Sequence, residues 1–502
     1  MSASTAFAAA LAAAPIVLIL VLMLPLQWSA ARAGLAGLAL AAVLAVPFFG
    51  FGAATTGLAA SAVGVAAEGG FVALTILWIL WPALALHEHQ QRSGAIDALR
   101  RGLGRLGDRR PLQVLLVGWF VALFFEGAAG FGTPVALAAP LLVSLGLAPV
   151  KAVVLALLGH AVGVSFGALG TPVLAQAELT GLDPQAIAWQ TAALHAALGA
   201  LMMVFFARSM VSAGLAPGFW WAAGAAAGFL LPCLLLASLL GPELATLGAA
   251  LLGAAMFAAA MYWRRGRTQG LEPDDAGPWR ALLPYAVLVV LVLVTRTLTP
   301  LVDLLSGWEL HWQLPGGFRG SMQPLRHPGT LLLLALLIGA RMQGVSLYSL
   351  GPAFSASARR LLPVTAALLT MLALSRLMLH AGMIGALEQA AVQGLRGSWP
   401  LVAPAIGALG SFVTGSATAS NILFTSLQAQ TAQALGIAPV LIVAAQGFGA
   451  AIGNIICPHN VIAGAATVGL AGREGEVLRQ TALPCVLYLA AGGLLVAFLA
   501  SV

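Results

Sequence analysis

The sequence predicts an all-α polytopic membrane protein of about 12 transmembrane helices plus two re-entrant hairpins, with its halves arranged as inverted repeats. Composition, the placing of helix breaks and a charge-asymmetric internal repeat carry that expectation. Hydrophobic residues make up 61% of the 502 and charged residues only 8%, against about 25% in an average soluble domain. A membrane span takes about 20 apolar residues, so this composition supplies around a dozen. It excludes a soluble globular protein, a large extramembrane domain and a peripheral or lipid-anchored chain.

The formal charge of +7 does not point to nucleic acid. Of the 23 cations, Lys151 is the one lysine, and the arginines sit in short clusters between apolar runs, as the positive-inside rule expects. Cys233, Cys457 and Cys485 form neither a disulfide framework nor a CxxC metal signature. The first apolar run reads as a retained span, because no charged n-region or cleavage site accompanies it.

In chain order, apolar runs fall near 10–28, 33–52, 70–88, 186–207, 218–240, 244–263, 280–299, 329–349, 361–379 and 481–501. Two further apolar regions, 111–170 and 399–458, are broken by Gly, Pro, Ser and Thr, and the assignment of 55–70 is open. GAIDALRRGL at 94–103 matches GMIGALEQAA at 382–391, and LGLAPV at 145–150 matches LGIAPV at 435–440. His160-x2-Gly163-x3-Gly167-x4-Pro172 matches Gln446-x2-Gly449-x3-Gly453-x4-Pro458, so the three offsets are 288, 290 and 286 residues. A nearly constant offset marks an internal repeat.

Charge sets the orientation. The first copy carries Arg92, Arg100, Arg101, Arg105, Arg109 and Arg110, whereas the second has Arg396 with Glu388. The first then faces the cytoplasm and the second faces out. Arg32, Lys151, Arg208, Arg264, Arg265, Arg267, Arg341, Arg359, Arg360, Arg473 and Arg479 all fall inside if both termini lie outside; Arg319 and Arg326 are the exceptions. The expected organisation is N-terminal helices over 1–69, repeat 1 with its hairpin and broken helix over 70–185, and connecting or scaffold helices over 186–360. Repeat 2 covers 361–480 and a C-terminal helix 481–502.

The broken regions carry the chemistry. In hydrocarbon, irregular backbone is tolerated only where protein buries it or water lines it. FFEGAAGFGTPVALAAP at 124–140 and GSFVTGSATASNILF at 410–424 are nonetheless full of helix breakers. Paired interrupted segments in two halves point to a transport site near the midplane, where half-helix N-termini suit a carboxylate. Small residues also serve close helix packing, which fits isolated glycines such as Gly224 and Gly228. Polar residues as closely spaced as those of SATASN, which fall on several faces, fit a site better.

At these motifs the chain resembles the L-lactate permease family of bacterial carboxylate transporters. The resemblance rests on FFEGAAGFGTPVALAAPLL at 124–142, VSFGALGTP at 164–172, LVLVTR at 291–296, GSFVTGSATASNILFTSLQ at 410–428 and VGLAGREGEVLRQT at 468–481. It implies uptake of L-lactate, glycolate or a similar small 2-hydroxy monocarboxylate, with a proton as coupling ion and sodium as the alternative. It also implies a multi-pass bacterial inner-membrane protein, an elevator-type fold whose transport domain moves against a scaffold, and room for a homodimer. The chain departs from the family pattern at Ala417, where an Asp is usual, and at His160, where Asn is expected. Pro458-His459-Asn460 stands in place of Pro-Gln-Ser, and Arg376 and His380 hold positions usually neutral.

The candidates follow. Glu126 in the first hairpin must be paired, protonated or hydrated at that depth, and a protonated form suits a proton carrier. His160 exchanges protons near neutral pH and is matched by Gln446 in the second half. Arg296, near the outer third of its span, offers a planar fork for a carboxylate, with snorkelling to the interface as its other reading. Gly127, Gly130 and Thr133 shape the first hairpin tip. Thr414, Ser416, Thr418, Ser420 and Asn421 supply donors and acceptors in the second. Ser165 and Thr171 share the crevice; Asn454, His459 and Asn460 surround the break at Pro458. Arg376 and His380 read as interfacial, and His87-Glu88-His89 as a polar helix end. No cofactor is expected, and no nucleophile–base pair or HExxH motif supports an intramembrane enzyme. A channel and a scaffold protein are the remaining rivals.

Overall fold

The computed structural model describes residues 3–23, 26, 28–53, 57–95, 98, 109–130, 132–265, 279–470 and 473–501. Arg100, Arg101, Arg105 and Arg267, and the side chains of Arg265 and Arg296, lie outside what it describes. Among the described residues, ten helices are long and apolar enough to cross a membrane. The fold is that of a helical multi-pass membrane protein. One non-helical element joins it: Leu310–Gln313 pairs antiparallel with Arg319–Met322.

The helices pack into two bundles. The flanking bundle holds Ala3–Met23, Ala30–Phe49, Leu58–Arg92, Trp279–Thr297, Pro328–Met342, Gly351–His380 and Met383–Leu395. Leu58–Arg92 runs 35 residues and takes in the stretch whose assignment was open. Small residues let it approach Gly351–His380: a Cβ on Gly69 would stand 3.1 Å from the Ala373 nitrogen. Phe318, from the turn between the two strands, fills the groove over Gly64.

The hairpin bundle holds both hairpins, both broken spans, Pro184–Ser212, Phe219–Leu240, Pro242–Arg265 and Glu474–Ser501. Here the packing differs from expectation. The helices over 184–265 were assigned to a connecting scaffold over 186–360, yet they pack on the hairpin-bearing helices. The reason is close backbone approach. A Cβ on Gly127 would stand 2.5 Å from the Leu247 nitrogen, and one on Gly170 would stand 2.7 Å from Pro242. Thr246 donates to the Gly163 carbonyl at 2.8 Å. The bundles meet where Gly351–His380 and Met383–Leu395 lie on Ala417–Ala434, and where Leu58–Arg92 meets Gly167–Thr180.

Each half supplies a hairpin followed by a broken span. The first hairpin is Arg110–Ala128, with a π-helical stretch at Leu116–Val121, and Thr133–Ser144. The second is Trp399–Thr414 and Ala417–Ala434. The first broken span runs Pro149–His160, tightens to a 3-10 turn at Ala161–Phe166, and restarts before Thr180. The second runs Pro439–Gly453, a 3-10 turn at Asn454–Ile456, an extended Cys457, and Pro458–Thr467. Proline opens the last helix because its missing N–H and fixed φ cost nothing at a first helical position.

Candidate substrate site

The first hairpin turns at Gly130 (φ +59°) and Gly132 (φ +78°), conformations a side chain rarely adopts. The Thr133 hydroxyl closes the turn by donating to the Gly130 carbonyl at 2.6 Å. The second hairpin turns at Gly415, whose N–H caps the Ser411 carbonyl at 2.9 Å. Ser416 then caps the following helix, its Oγ accepting from the Ala419 N–H at 3.3 Å. Thr414 donates to the carbonyls of Gly410 and Ser416, at 2.8 and 3.0 Å.

These two tips and the two span breaks line one half-open cavity. Glu126 and Gly130 line it from the first hairpin, and Val164, Gly167, Ala168 and Pro172 from the first break. Gly415, Ser416, Ala417 and Thr418 line it from the second hairpin, and Asn454 from the second break. Helices start beside it at Thr133, at Ala417 and around Pro172, and these starts bring unsatisfied N–H groups and partial positive charge. Glu126 is the one ionisable side chain among the described lining residues.

Glu126 is 5% exposed, and its Oε2 lies 3.9 Å from His160 Nε2. His160 is itself 1% exposed. Its Nδ1 sits 2.6 Å from the Ala156 carbonyl. A carbonyl only accepts, so Nδ1 carries the hydrogen and the bare Nε2 of the neutral ring faces the Glu126 carboxyl. Each group can take up a proton, and at 3.9 Å a small side-chain movement brings the two into hydrogen-bond contact.

The first break holds a feature with no mark in the sequence. Ala168 (φ 43°, ψ 55°), Leu169 (φ 56°, ψ 47°) and Gly170 (φ 77°, ψ 10°) are consecutive left-handed residues. The two that are not glycine cost about 1–2 kcal/mol each. The surroundings hold them: Thr171 donates to the Ala168 carbonyl at 2.6 Å, and Gly170 is pressed on Pro242. Strain of this kind gathers at functional sites.

Of the expected site residues, Glu126, Gly130, Ser416 and Thr418 reach the cavity wall, as does Asn454 from the second tier. Gly127 packs on Leu247, and Thr133 and Thr414 lock the tips from behind. Ser420, Asn421, Gln446 and Ser165 are buried braces. Gln446 donates to the Ser420 hydroxyl at 3.2 Å and accepts from Gln428 at 3.0 Å. Trp399 donates to Gln428 at 2.9 Å, and Ser420 to the Gly407 carbonyl at 2.7 Å. Asn421 donates to the Pro172 carbonyl at 3.1 Å, joining the second hairpin to the first break, and its Oδ1 has no partner among the described residues. Ser165 donates to the Gly447 carbonyl at 3.2 Å and hydrogen-bonds His195 at 3.0 Å; His195 in turn reaches the Tyr488 hydroxyl at 3.3 Å. His459 lies against Gly415, and Asn460 bonds Asn454. For Arg296 the structure fixes the helix, Trp279–Thr297, and describes no side chain.

Three groups were not anticipated. His195 sits in an uninterrupted apolar helix, where nothing sets it apart. Gln428 closes the GSFVTGSATASNILFTSLQ motif, where a single amide does not stand out among the hydroxyls. Glu68 lies in the stretch left open, and accepts from His380 at 2.7 Å and from the Arg319 N–H at 3.0 Å. Its partner Arg376, expected at the interface, is only 9% exposed. His87-Glu88-His89 ends its helix, with Glu88 on Arg92 (2.8 Å) and Arg360 (3.3 Å).

The L-lactate permease family profile matches residues 8–310 and 319–502. The chain is similar to the glycolate permease GlcA of Escherichia coli (strain K12), 29% identical over 456 residues, covering 81% of each chain. It is similar to the L-lactate permease of Bacillus subtilis (strain 168), 27% identical, covering 89% of this chain and 88% of that one. Among solved structures, the Alcanivorax borkumensis YdaH transporter matches with a TM-score of 0.53 at 17% identity, covering 92% of this chain and 97% of that one. Neisseria gonorrhoeae MtrF matches with a TM-score of 0.52 at 16% identity, covering 96% and 97%. At such identities these two speak for the fold alone.

Proposed function

Because the chain belongs to the L-lactate permease family, whose members are membrane transporters and not enzymes, we propose that it takes up L-lactate, glycolate or a similar small 2-hydroxy monocarboxylate by proton symport. The observation that carries this reading is the meeting of two hairpin tips and two span breaks around one cavity with a single carboxyl in its wall. Helix starts there favour an anion. The Ser416 and Thr418 hydroxyls suit a 2-hydroxyl. The cavity is narrow and walled mostly by small residues at the hairpin tips and the breaks, which favours short acids. A dicarboxylate would set its second charge against Glu126.

The proton is favoured over sodium because the wall holds a carboxyl facing an imidazole, which can share a proton. No described residue of the Arg296 helix lines the cavity, so we assign Arg296 to drawing the anion toward the site by its positive charge; Arg296→Gln should lower uptake while the protein still reaches the membrane, and full uptake by that variant removes the role. Labelled L-lactate uptake should collapse with a proton ionophore and survive removal of sodium. The opposite pattern makes the protein a sodium symporter. Competition by a panel of 2-hydroxy and dicarboxylic acids then ranks the substrates.

A further inference from the structure

Resting on the carboxylate-transport reading, we propose that the left-handed turn Ala168–Gly170 is the cradle for the substrate's carboxylate, and that ionised Glu126 covers this cradle when substrate is absent. Taking up a proton and taking up the anion are then one event, because two negative carboxylates cannot share the turn.

Three observations carry it. The turn reaches the wall of the cavity at Ala168, with Gly167 and Pro172 lining it on either side. A helix starts directly after the turn, and the Ala168 nitrogen lies on the side that faces the first hairpin tip at Gly130, where a helix start favours an anion. Glu126 is aimed at this place: its Oε1 lies so near Gly167 that a methyl there would overlap it, and a Cβ on Gly130 would stand 3.6 Å from Oε1 and 3.3 Å from the Ala168 nitrogen. The carboxyl is nine-tenths buried, and its nearest charged or titratable neighbour is His160.

Other ionisable groups on the elements packed against Ala122–Ala128 face elsewhere. Glu243 lies beside Gly241, Glu178 beside Arg376, and Lys151 on Gln480. Tyr262 and Arg264 are at the exposed end of their helix. His160 is thus the partner in the proton's movement. With its Nδ1–H held by Ala156, its bare Nε2 can accept a proton and pass it to Glu126. Neutral Glu126 releases the cradle, and the substrate carboxylate replaces it. On the far side the anion leaves, Glu126 loses its proton to water, and the carboxylate returns. One proton crosses with each monocarboxylate anion, so the complete cycle is electroneutral.

Binding of L-lactate to the purified protein should weaken by about tenfold per pH unit once the Glu126–His160 pair has lost its proton. In Glu126→Gln that dependence should vanish, with affinity held at its low-pH value; lactate/lactate exchange should persist while proton-driven net uptake is lost. Ala168→Gly, which adopts the left-handed conformation freely, should bind within about twofold of the unmodified chain. Ala168→Val, whose branched side chain resists it, should lose at least about tenfold at every pH. Glu126→Gln with the original pH dependence overturns the competition. Ala168→Val with unchanged affinity overturns the cradle, and thermal unfolding of both variants establishes that they are folded. If the unmodified chain binds neither L-lactate nor glycolate at any pH, the carboxylate reading itself falls.

Discussion

At the residue scale, a glycine beside the one carboxyl decides what that carboxyl can do. A methyl on Gly167 would meet Glu126 Oε1, and the carboxyl has little room to yield in a buried wall. Gly167→Ala should cost about 1–3 kcal/mol in stability if the carboxyl stays. If it moves, proton-driven uptake should fall by at least about tenfold, as for a displaced reacting group. Gly224→Ala, where a Cβ meets nothing within 4 Å, is the control and should leave both unchanged. Uptake assays with thermal unfolding of the two variants check this; equal activity would mean that the carboxyl's present place is unimportant. Glu126, Gly130, Ser416 and Thr418 were legible in the sequence because charge, glycine and hydroxyl runs are conspicuous in an apolar chain. Ala168 and Leu169 were not, since nothing in an alanine or leucine announces a positive φ that only the surrounding packing enforces.

At the element scale, the second hairpin is fixed by a buried amide network where the first half has an ionisable pair. Trp399, Gln428, Gln446 and Ser420 bond in series and tie Trp399–Thr414, Ala417–Ala434 and Pro439–Gly453 together. Gln428 also donates to the Ala403 carbonyl at 3.1 Å. Gln428→Leu removes the partner of Trp399, Gln446 and Ala403, and each orphaned buried group costs about 1–3 kcal/mol. The unfolding midpoint should drop clearly, and adding Gln446→Leu should cost less than it does in the unmodified chain, because both belong to one network. Strict additivity in thermal unfolding would mean that the two amides act separately. The repeat match of His160 with Gln446 pointed to both positions, but not to their different tasks. Helix breaks were legible from Gly and Pro. The neighbours of 184–265 were not, because Gly and Ala occur on every face and hydropathy does not say which small residue meets which backbone.

At the scale of the molecule, a span count of roughly the right size follows from hydropathy, whereas the division into two bundles comes from contacts the sequence does not display. Polar groups on the seam show how the bundles are held. Arg376, on Gly351–His380, donates to the Glu178 carbonyl at 3.1 Å, in the last turn of the first broken span. Carbonyls of a last helical turn lack intrahelical partners and carry partial negative charge, so a guanidinium caps them well. Its Nε lies 3.8 Å from Glu68 Oε2, and Glu68 is itself fixed by His380 and the Arg319 N–H. The cation is thus anchored in the flanking bundle and bonded to the hairpin bundle. If transport moves the hairpin bundle against its neighbour, this bond breaks in every cycle. A hydrogen bond from a charged group contributes about 1.5–3 kcal/mol, so its loss shifts the balance between positions by about tenfold or more. Arg376→Gln should therefore leave the Kd for L-lactate within about twofold, since Arg376 does not line the cavity, and should raise the Vmax of lactate exchange. Glu68→Gln should act in the same direction, and the double variant should add little, because Glu68 works by aligning the guanidinium. An unchanged Vmax, or a Kd that weakens along with it, would mean that the seam is not what the moving bundle has to release.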